Sequence, residues 1–515
     1  MSTPEQPTTA DEKAEEPKSR LILLLSSVVT VAFLSHFQFR LEVVRGADVY
    51  YHLAVAREML ASGPLQSFPW TPYSLFAERF ADKEFLFHVL LMPLASLDIV
   101  SAGQLGALFG QVAVVGALAT ILWRWRTPLA PLVVLGLCAI GPPLPVRLSM
   151  CRPHTFTLAF SLIVLGLLCS RRPRLLALFL CAGLHGLFHS GGWLSVAFAG
   201  LYGLSALLAL DGQKRRLDWQ PIAATAAGWL AGQLLHPNAP ANFEVLWLQN
   251  VVVPLGASSA GSTALSAALG GELMPSSAAV VLSNLPTLAL LSAISLLLIR
   301  KTEYRCRRTV TTWLSALVFT VIAIFLMRRM WELAGPLTLL AAAALLTRSS
   351  SPGRLYGPRR RLIVLALSTV LLLGSANSYH FAGQWITDKG APVAMSKWLA
   401  REASPGDLIY SAQWGDSAPL MWFAPELRSL VALDPTFLYV KDPELFLAYA
   451  ATITGDDLDP IGTITTLFRA RYLTIWKLPV FSWLSEMAHV DERATKVYED
   501  PHYQVFELNE APLSP

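Results

Sequence analysis

Apolar residues fall in long unbroken blocks along the chain, and polar residues fill the short gaps between them. Eleven blocks stand out, at approximately 21–42, 103–123, 128–143, 155–169, 174–189, 193–210, 219–235, 278–299, 309–327, 333–347 and 362–379. About 20 residues at 1.5 Å rise per residue cross a hydrocarbon core of about 30 Å. The pattern therefore predicts a polytopic α-helical membrane protein with about eleven spans. The first block, from Leu21 to Phe37, lacks a small-residue cleavage site and reads as an uncleaved span. Residues 1–20 before it are polar and of mixed charge, as expected of a disordered cytoplasmic tail.

The gaps carry the orientation. Basic runs occur at every second turn: Arg124-Trp125-Arg126, 170–174 (SRRPR), 211–216 (DGQKRR), 300–308 (RKTEYRCRR) and 351–361 (SPGRLYGPRRR). The positive-inside bias places these in the cytoplasm, with the N-terminus, in an inner or plasma membrane. The alternate loops then lie on the outer face: 42–103, 141–154, 189–193, 236–277 and 327–335. Residues 380–515 follow the last span and change pattern. An amphipathic stretch (391–404) alternates with strand-like runs (407–414, 471–478 and 503–508), which predicts a soluble extracytoplasmic α/β domain.

Composition agrees. Hydrophobic residues make up 54% of the chain and charged residues 15%, against roughly 25% charged in a soluble protein. The last 136 residues hold 18 acidic and 10 basic side chains, so the basic excess lies in the membrane part. That asymmetry offers no basic surface for nucleic acid. The five cysteines lie in or beside apolar blocks, none in the tail, and imply no disulfide framework.

The outer loops concentrate the candidate chemistry. Asp48, Tyr51 and His52 open the first loop, and Asp82, Lys83, Glu84 and His88 close it. Between them, Leu53, Ala56 and Leu60 form a stripe that predicts a helix lying in the membrane interface. Asp48 at its head is either an N-cap or a functional carboxylate. Arg147, Arg152 and His154 sit on the second outer turn, and Arg328 and Arg329 at the outer end of a span beside Trp331 and Glu332. Arginine at that boundary snorkels to lipid phosphate, but charges at membrane depth also pair or serve a ligand. A carboxylate with converging arginines makes a base and a phosphate clamp. His185 and His189 are one helical turn apart, with no third metal ligand apparent; a polar pocket wall suits them better than a metal site. His236 and Asn238 read as a helix stop and turn.

The stretch 46–63 (GADVYYHLAVAREMLASG) resembles the start of the first outer loop in GT-C superfamily glycosyltransferases, which use polyprenyl-phosphate-linked sugars. Its Asp-x-Tyr-Tyr-His order resembles oligosaccharyltransferase catalytic subunits. The following Asp82-Lys83 is similar to the Glu-Lys pair of aminoarabinose and protein O-mannosyl transferases. The tail segment 411–435 resembles, in degenerate form, the oligosaccharyltransferase Trp-Trp-Asp-Tyr-Gly segment, with Trp414 and Asp416 at matching places. The resemblance implies Asp48 and Asp82 as catalytic carboxylates. Lys83, Arg152, Arg328 and Arg329 would sit at the donor phosphate. Tyr51, His52, His154, His189, Trp414 and Asp416 would line the acceptor pocket. The second outer turn lacks the acidic pair that completes a metal site in oligosaccharyltransferases. No cofactor is therefore expected, and a magnesium or manganese ion would have Asp48 as its ligand.

These readings predict a transferase that moves sugar from a lipid-linked donor, amid membrane lipids, to a glycan, lipid or protein acceptor. An oligosaccharyltransferase acting on protein is the alternative within the class. A lipid or solute transporter would show inverted repeats, and none is found; a catalytically inactive GT-C scaffold keeps the same loose motifs.

Overall fold

The computed structural model of the protein describes residues 10–44, 46–209, 217–252, 271–349, 358–385, 392–432 and 435–509. The basic run 211–216 and residues 351–357 of the run 351–361 lie outside them. Among the described residues, six helices are long and apolar enough to cross a membrane: Lys18–Phe39, Ile99–Arg124, Ser190–Leu208, Arg307–Phe325, Arg328–Arg348 and Val364–Gly383. Shorter apolar helices include Phe85–Leu94, Pro153–Leu168, Leu175–Phe188 and Leu285–Arg300. The fold is the polytopic helical one that the apolar blocks predict, completed by a small C-terminal sheet domain.

Two blocks depart from their prediction: 278–299 breaks at Asn284 into Ala278–Ser283 and Leu285–Arg300, and the other changes more. Residues 128–143 form no continuous span but a helix at Ala130–Leu135, a tight turn at Gly136–Cys138 and a second helix at Pro143–Leu148. Pro142, Pro143 and Pro145 supply no backbone N–H for a longer ladder, so the helix restarts at Pro143. Elsewhere glycine lets two backbones touch. Leu175–Phe188 packs on Trp219–Leu234, where a Cβ on Gly228 would lie 2.1 Å from the Phe179 carbonyl oxygen. One turn on, a Cβ on Gly232 would lie 2.4 Å from the Gly183 carbonyl oxygen, completing a Gly-x-x-x-Gly contact.

The first loop is itself structured. Its Asp48–Ser62 helix buries Val49 through Ala56 and Met59. This corrects the interfacial helix expected there: protein covers almost the whole circumference, and Leu60 of the supposed apolar stripe is exposed. The N-cap position falls on Ala47, and no side chain caps the helix. Asp48 is the first helical residue and its carboxylate is free for other work.

The tail folds on a five-stranded sheet of order β2-β1-β3-β5-β4, with β1 at Leu408–Ser411, β2 at Arg428–Ser429, β3 at Tyr472–Trp476, β4 at Ala494–Glu499 and β5 at Tyr503–Leu508. β1 pairs in parallel with β2 and β3, while β5 runs antiparallel to β3 and β4. Adjacent residues serve opposite faces, as strand geometry requires. Tyr410, Leu473 and Phe506 enter one core; Ile409, Tyr472 and Val505 enter the other.

The first loop and the tail pack on each other at one end of the bundle. Phe76 stacks on Phe437 with ring centroids 3.9 Å apart. Trp70 donates from Nε1 to the Pro425 carbonyl at 3.0 Å, and its own carbonyl accepts from Ser429 N at 2.7 Å. Arg57 donates to the Trp422 carbonyl at 2.7 Å and lies 4.2 Å above that indole.

Candidate active site

Two polar clusters meet at the loop end of the bundle. The first is cationic. Arg152 adopts extended backbone (φ −140°, ψ 145°), as a residue before proline prefers, and heads the Pro153–Leu168 helix. Its guanidinium reaches Asp48 Oδ2 at 2.6 Å and Glu272 Oε2 at 3.4 Å. Arg147, in the last turn of Pro143–Leu148, reaches Glu272 at 2.9 Å and Glu332 at 2.6 Å. Arg329 lies 3.9 Å from the other Glu272 oxygen. Three arginines from separate elements thus converge on one carboxylate.

Glu272 is set in place by its neighbours. Arg328 N donates to the Met274 carbonyl at 2.9 Å, Ser276 N to the Ile324 carbonyl at 3.1 Å, and Trp331 Nε1 to Ser276 Oγ at 3.0 Å. Burial would raise the Glu272 pKa, but the charges of Arg329, Arg147 and Arg152 outweigh it and hold the carboxyl well below the usual range. Burial likewise opposes the charge of Arg147, and Glu332 and Glu272 more than restore it.

The second cluster is a buried relay. Asp82 Oδ2 accepts from His88 Nδ1 at 2.7 Å, and His88 Nε2 lies 2.9 Å from His52 Nδ1. A neutral His88 that donates to Asp82 has only a lone pair left at Nε2. His52 must then donate from Nδ1, which leaves the His52 Nε2 lone pair unspent within the relay. Burial above all lowers the His52 pKa well below its ordinary value and keeps it neutral. Asp82 is fixed through its backbone: its N–H donates to Asn238 Oδ1 at 3.1 Å, and its carbonyl accepts from His236 Nε2 at 2.8 Å. Lys83 Nζ lies 3.5 Å from Glu84 Oε1, while the buried Glu84 Oε2 has no hydrogen-bond partner.

Tyr51 packs against the buried cluster. Its ring lies beside those of His52 and His88. Burial, then the charges of Glu84, Asp82 and Asp48, push its phenol well above the ordinary value.

The residues singled out from sequence divide accordingly. Asp48, Arg152 and Arg329 share the cationic cluster; Tyr51, His52, Asp82 and Lys83 share the buried one. His154 and His189 meet edge to face with ring centroids 4.5 Å apart, and His189 Nδ1 pairs with Thr157 at 2.9 Å. His185 turns away to Ser195, 2.8 Å from its Nδ1, and stacks on Phe160, so the two histidines of the 185–189 turn share no ligand geometry. Arg328 is exposed and stands outside the cluster. Trp414 packs against the tail core. Asp416 points inward, where its Oδ1 accepts from Tyr503 OH at 3.1 Å. The buried Asp416 carboxylate thus faces the tail interior, Trp414 stays half-buried, and Gly415 between them approaches Ala47, next to Asp48.

Sequence reading passed over Glu272, and it took His236 and Asn238 for a simple turn. The signal for Glu272 was present: Glu244 and Glu272 are the only acids in the long loop 236–277.

The donor set for a cation also differs from expectation. Asp48 is taken by Arg152, whereas His52, Glu84 and His88 each offer a ligand atom within 4.8 Å of the others. Two imidazoles and a carboxylate suit zinc or a similar transition metal, not magnesium. The unpartnered Glu84 Oε2 fits such an ion, which would replace the His52–His88 hydrogen bond.

No family model matches the chain, and no curated protein matches it by sequence. Solved structures do match. The Archaeoglobus fulgidus oligosaccharyltransferase AglB, in complex with an inhibitory peptide and a dolichol-phosphate, superposes at TM-score 0.62 and 10% identity over 91% of this chain and 70% of its own. An Archaeoglobus fulgidus oligosaccharyltransferase in complex with Zn and sulfate matches at TM-score 0.56 and 10% identity, over 92% of this chain and 70% of its own. ArnT from Cupriavidus metallidurans, bound to undecaprenyl phosphate, gives TM-score 0.55 and 13% identity over 94% and 97%. The arabinofuranosyltransferase AftD from Mycobacteria gives 0.52 and 14% over 96% of this chain and 40% of its own. The chain has the GT-C superfamily fold.

Proposed function

We propose that this GT-C chain is a membrane glycosyltransferase that moves a sugar from a polyprenyl-phosphate carrier to an acceptor on the outer face. One observation carries the reading: Arg147, Arg152 and Arg329 converge beside Asp48, around a carboxylate that stands where a phosphate would be held. Arginine binds phosphate bidentately and keeps its charge at any physiological pH. The neighbours bound to dolichol-phosphate and undecaprenyl phosphate support the donor class.

In this reading the donor phosphate displaces Glu272 from the arginines. The acceptor nucleophile attacks the anomeric carbon, and the bond from that carbon to the phosphate oxygen breaks with inversion. Asp48 takes the acceptor proton, and the arginines hold the charge that develops on the departing phosphate. The Asp82–His88–His52 relay fixes the wall of the site, with Lys83 alongside. A transition-metal ion, when bound, would be held by His52, Glu84 and His88 and would supply Lewis-acid polarisation there.

The test is release of polyprenyl phosphate from a lipid-linked sugar by purified protein. Asp48→Asn keeps the helix start, since Asp48 does not cap it, but removes the base and one partner of Arg152. It should lower turnover by about 10² to 10⁴ with an unchanged melting temperature. Arg152→Lys keeps the charge and loses the fork, so it should lose activity as well. Undiminished turnover in Asp48→Asn would reject this assignment. Metal analysis of purified protein is a separate check: Glu84→Gln should lower any bound zinc without unfolding the chain.

A further inference from the structure

Three helices that lead away from the arginine cluster end on a second group of arginines. Pro153–Leu168 starts beside Arg152; Arg307–Phe325 ends just before Arg329; Trp331–Ser349 begins with Glu332 at its second position. Sixteen helical residues span about 24 Å, so the far ends of these helices lie on the opposite side of the bundle. There the described residues form an open cavity of about 630 Å³. Among the described residues its wall carries Arg171, Arg172, Arg307, Arg308 and Arg348 and one carboxylate, Asp218.

A basic loop at this end needs no ligand to explain it, because the positive-inside bias already favours one. That bias calls for charge alone. It does not account for guanidinium groups fixed around a concave volume. Arg307 lies 3.7 Å above the Tyr202 ring and 3.4 Å from Asp218. Arg308 lies 4.7 Å above the Trp125 ring and donates from Nε to the Cys169 carbonyl at 3.2 Å. Arg348 donates from Nε to the Glu303 carbonyl at 3.1 Å. Cations held this way lose little freedom when an anion enters. Arg171 and Arg172 on its wall are exposed, and so are the apolar side chains Leu176, Leu217 and Trp219, next in sequence to the wall residues Leu175, Asp218 and Gln220, at 72%, 56% and 64% exposure. A charged hollow with an apolar flank between membrane helices matches an anionic lipid, with its phosphate inside and its chains outside.

We propose that this cavity is a binding site for a phosphate-bearing ligand, supplied by an anionic membrane lipid, separate from the site at the other end of the bundle. The same guanidinium groups would accept a soluble phosphoryl compound, and the experiment separates the two sources. Cys306 lines the cavity and is half-exposed, whereas the other four cysteines are buried. Its rate of maleimide labelling in the full-length protein therefore reports occupancy. The protein is placed in phosphatidylcholine nanodiscs, with phosphatidylglycerol added to one set and pyrophosphate to another. Phosphatidylglycerol should slow Cys306 labelling several-fold, and pyrophosphate should not. Arg171→Gln with Arg172→Gln, both exposed and outside the core, should weaken that protection about tenfold. Protection by pyrophosphate alone would keep the site and reject the lipid. Equal labelling rates in every condition, or protection that survives the double substitution, would overturn the proposal.

Discussion

Asp416 shows how far one side chain can stand from the role its sequence neighbourhood suggests. It is buried under Tyr503, its Oδ2 has no hydrogen-bond partner, and burial pushes its pKa up to about 8, with the Tyr503 hydrogen bond acting the other way. In the unfolded chain the group titrates near ~3.9. Between these values the folded tail binds the proton more tightly than the unfolded chain. Stability from this group is therefore full below about pH 4, falls as pH rises toward 8, and then levels off. The slope amounts to at most about 1.4 kcal/mol per pH unit. Asp416→Asn, close in shape and uncharged at every pH, should flatten the decline. Tryptophan-fluorescence melting across that pH range checks it, and an unchanged slope would mean that Asp416 does not titrate there.

Among elements, the tightest contact is that of Leu175–Phe188 on Trp219–Leu234. Hydrophobic matching does not hold two helices together in lipid, so close backbone approach and van der Waals contact must. Gly228 and Gly232 permit it. A β-branched side chain at Gly228 would meet backbone on the partner helix, which cannot swing aside as a flexible side chain would. Gly228→Val should sharply reduce the yield of folded protein in detergent, measured by size-exclusion chromatography. The same change at Gly200, where a Cβ would meet nothing within 4 Å, should have little effect.

Over the whole molecule, the first loop and the tail occupy one end of the bundle and the Arg307–Arg308 cavity the other. We propose that residues 21–379 form the membrane domain, that 380–515 form an outer domain docked on loop 42–103, and that the arginine-lined cavity faces the cytoplasm. Single cysteines tested in intact cells decide this, in a background where Cys306 is replaced. Leu458→Cys, at a tail position 95% exposed, should react with an impermeant maleimide. Arg171→Cys should react only after the membrane is permeabilised. Labelling of both from one side would sink the topology.

Much of this was legible in the sequence because it depends on local pattern. Long apolar blocks in lipid have one low-energy solution, a helix that satisfies its own backbone, so the helices fall close to the predicted blocks. Strand-like runs marked β1, β3 and β5, because their β-branched and aromatic residues favour a pleated, buried surface. The polar head at Asp48–His52 and the closing run Asp82–His88 also stood out, because charge is costly beside a membrane. Pairing was decided elsewhere. Nothing local says that Arg152 meets Asp48, that Glu272 completes the arginine cluster from a distant loop, or that His236 and Asn238 hold the backbone of Asp82. Nor does the amphipathic stripe of the Asp48–Ser62 helix reveal that protein, and not lipid, covers it. Those facts depend on which helix ends meet in space, and only tertiary packing sets that.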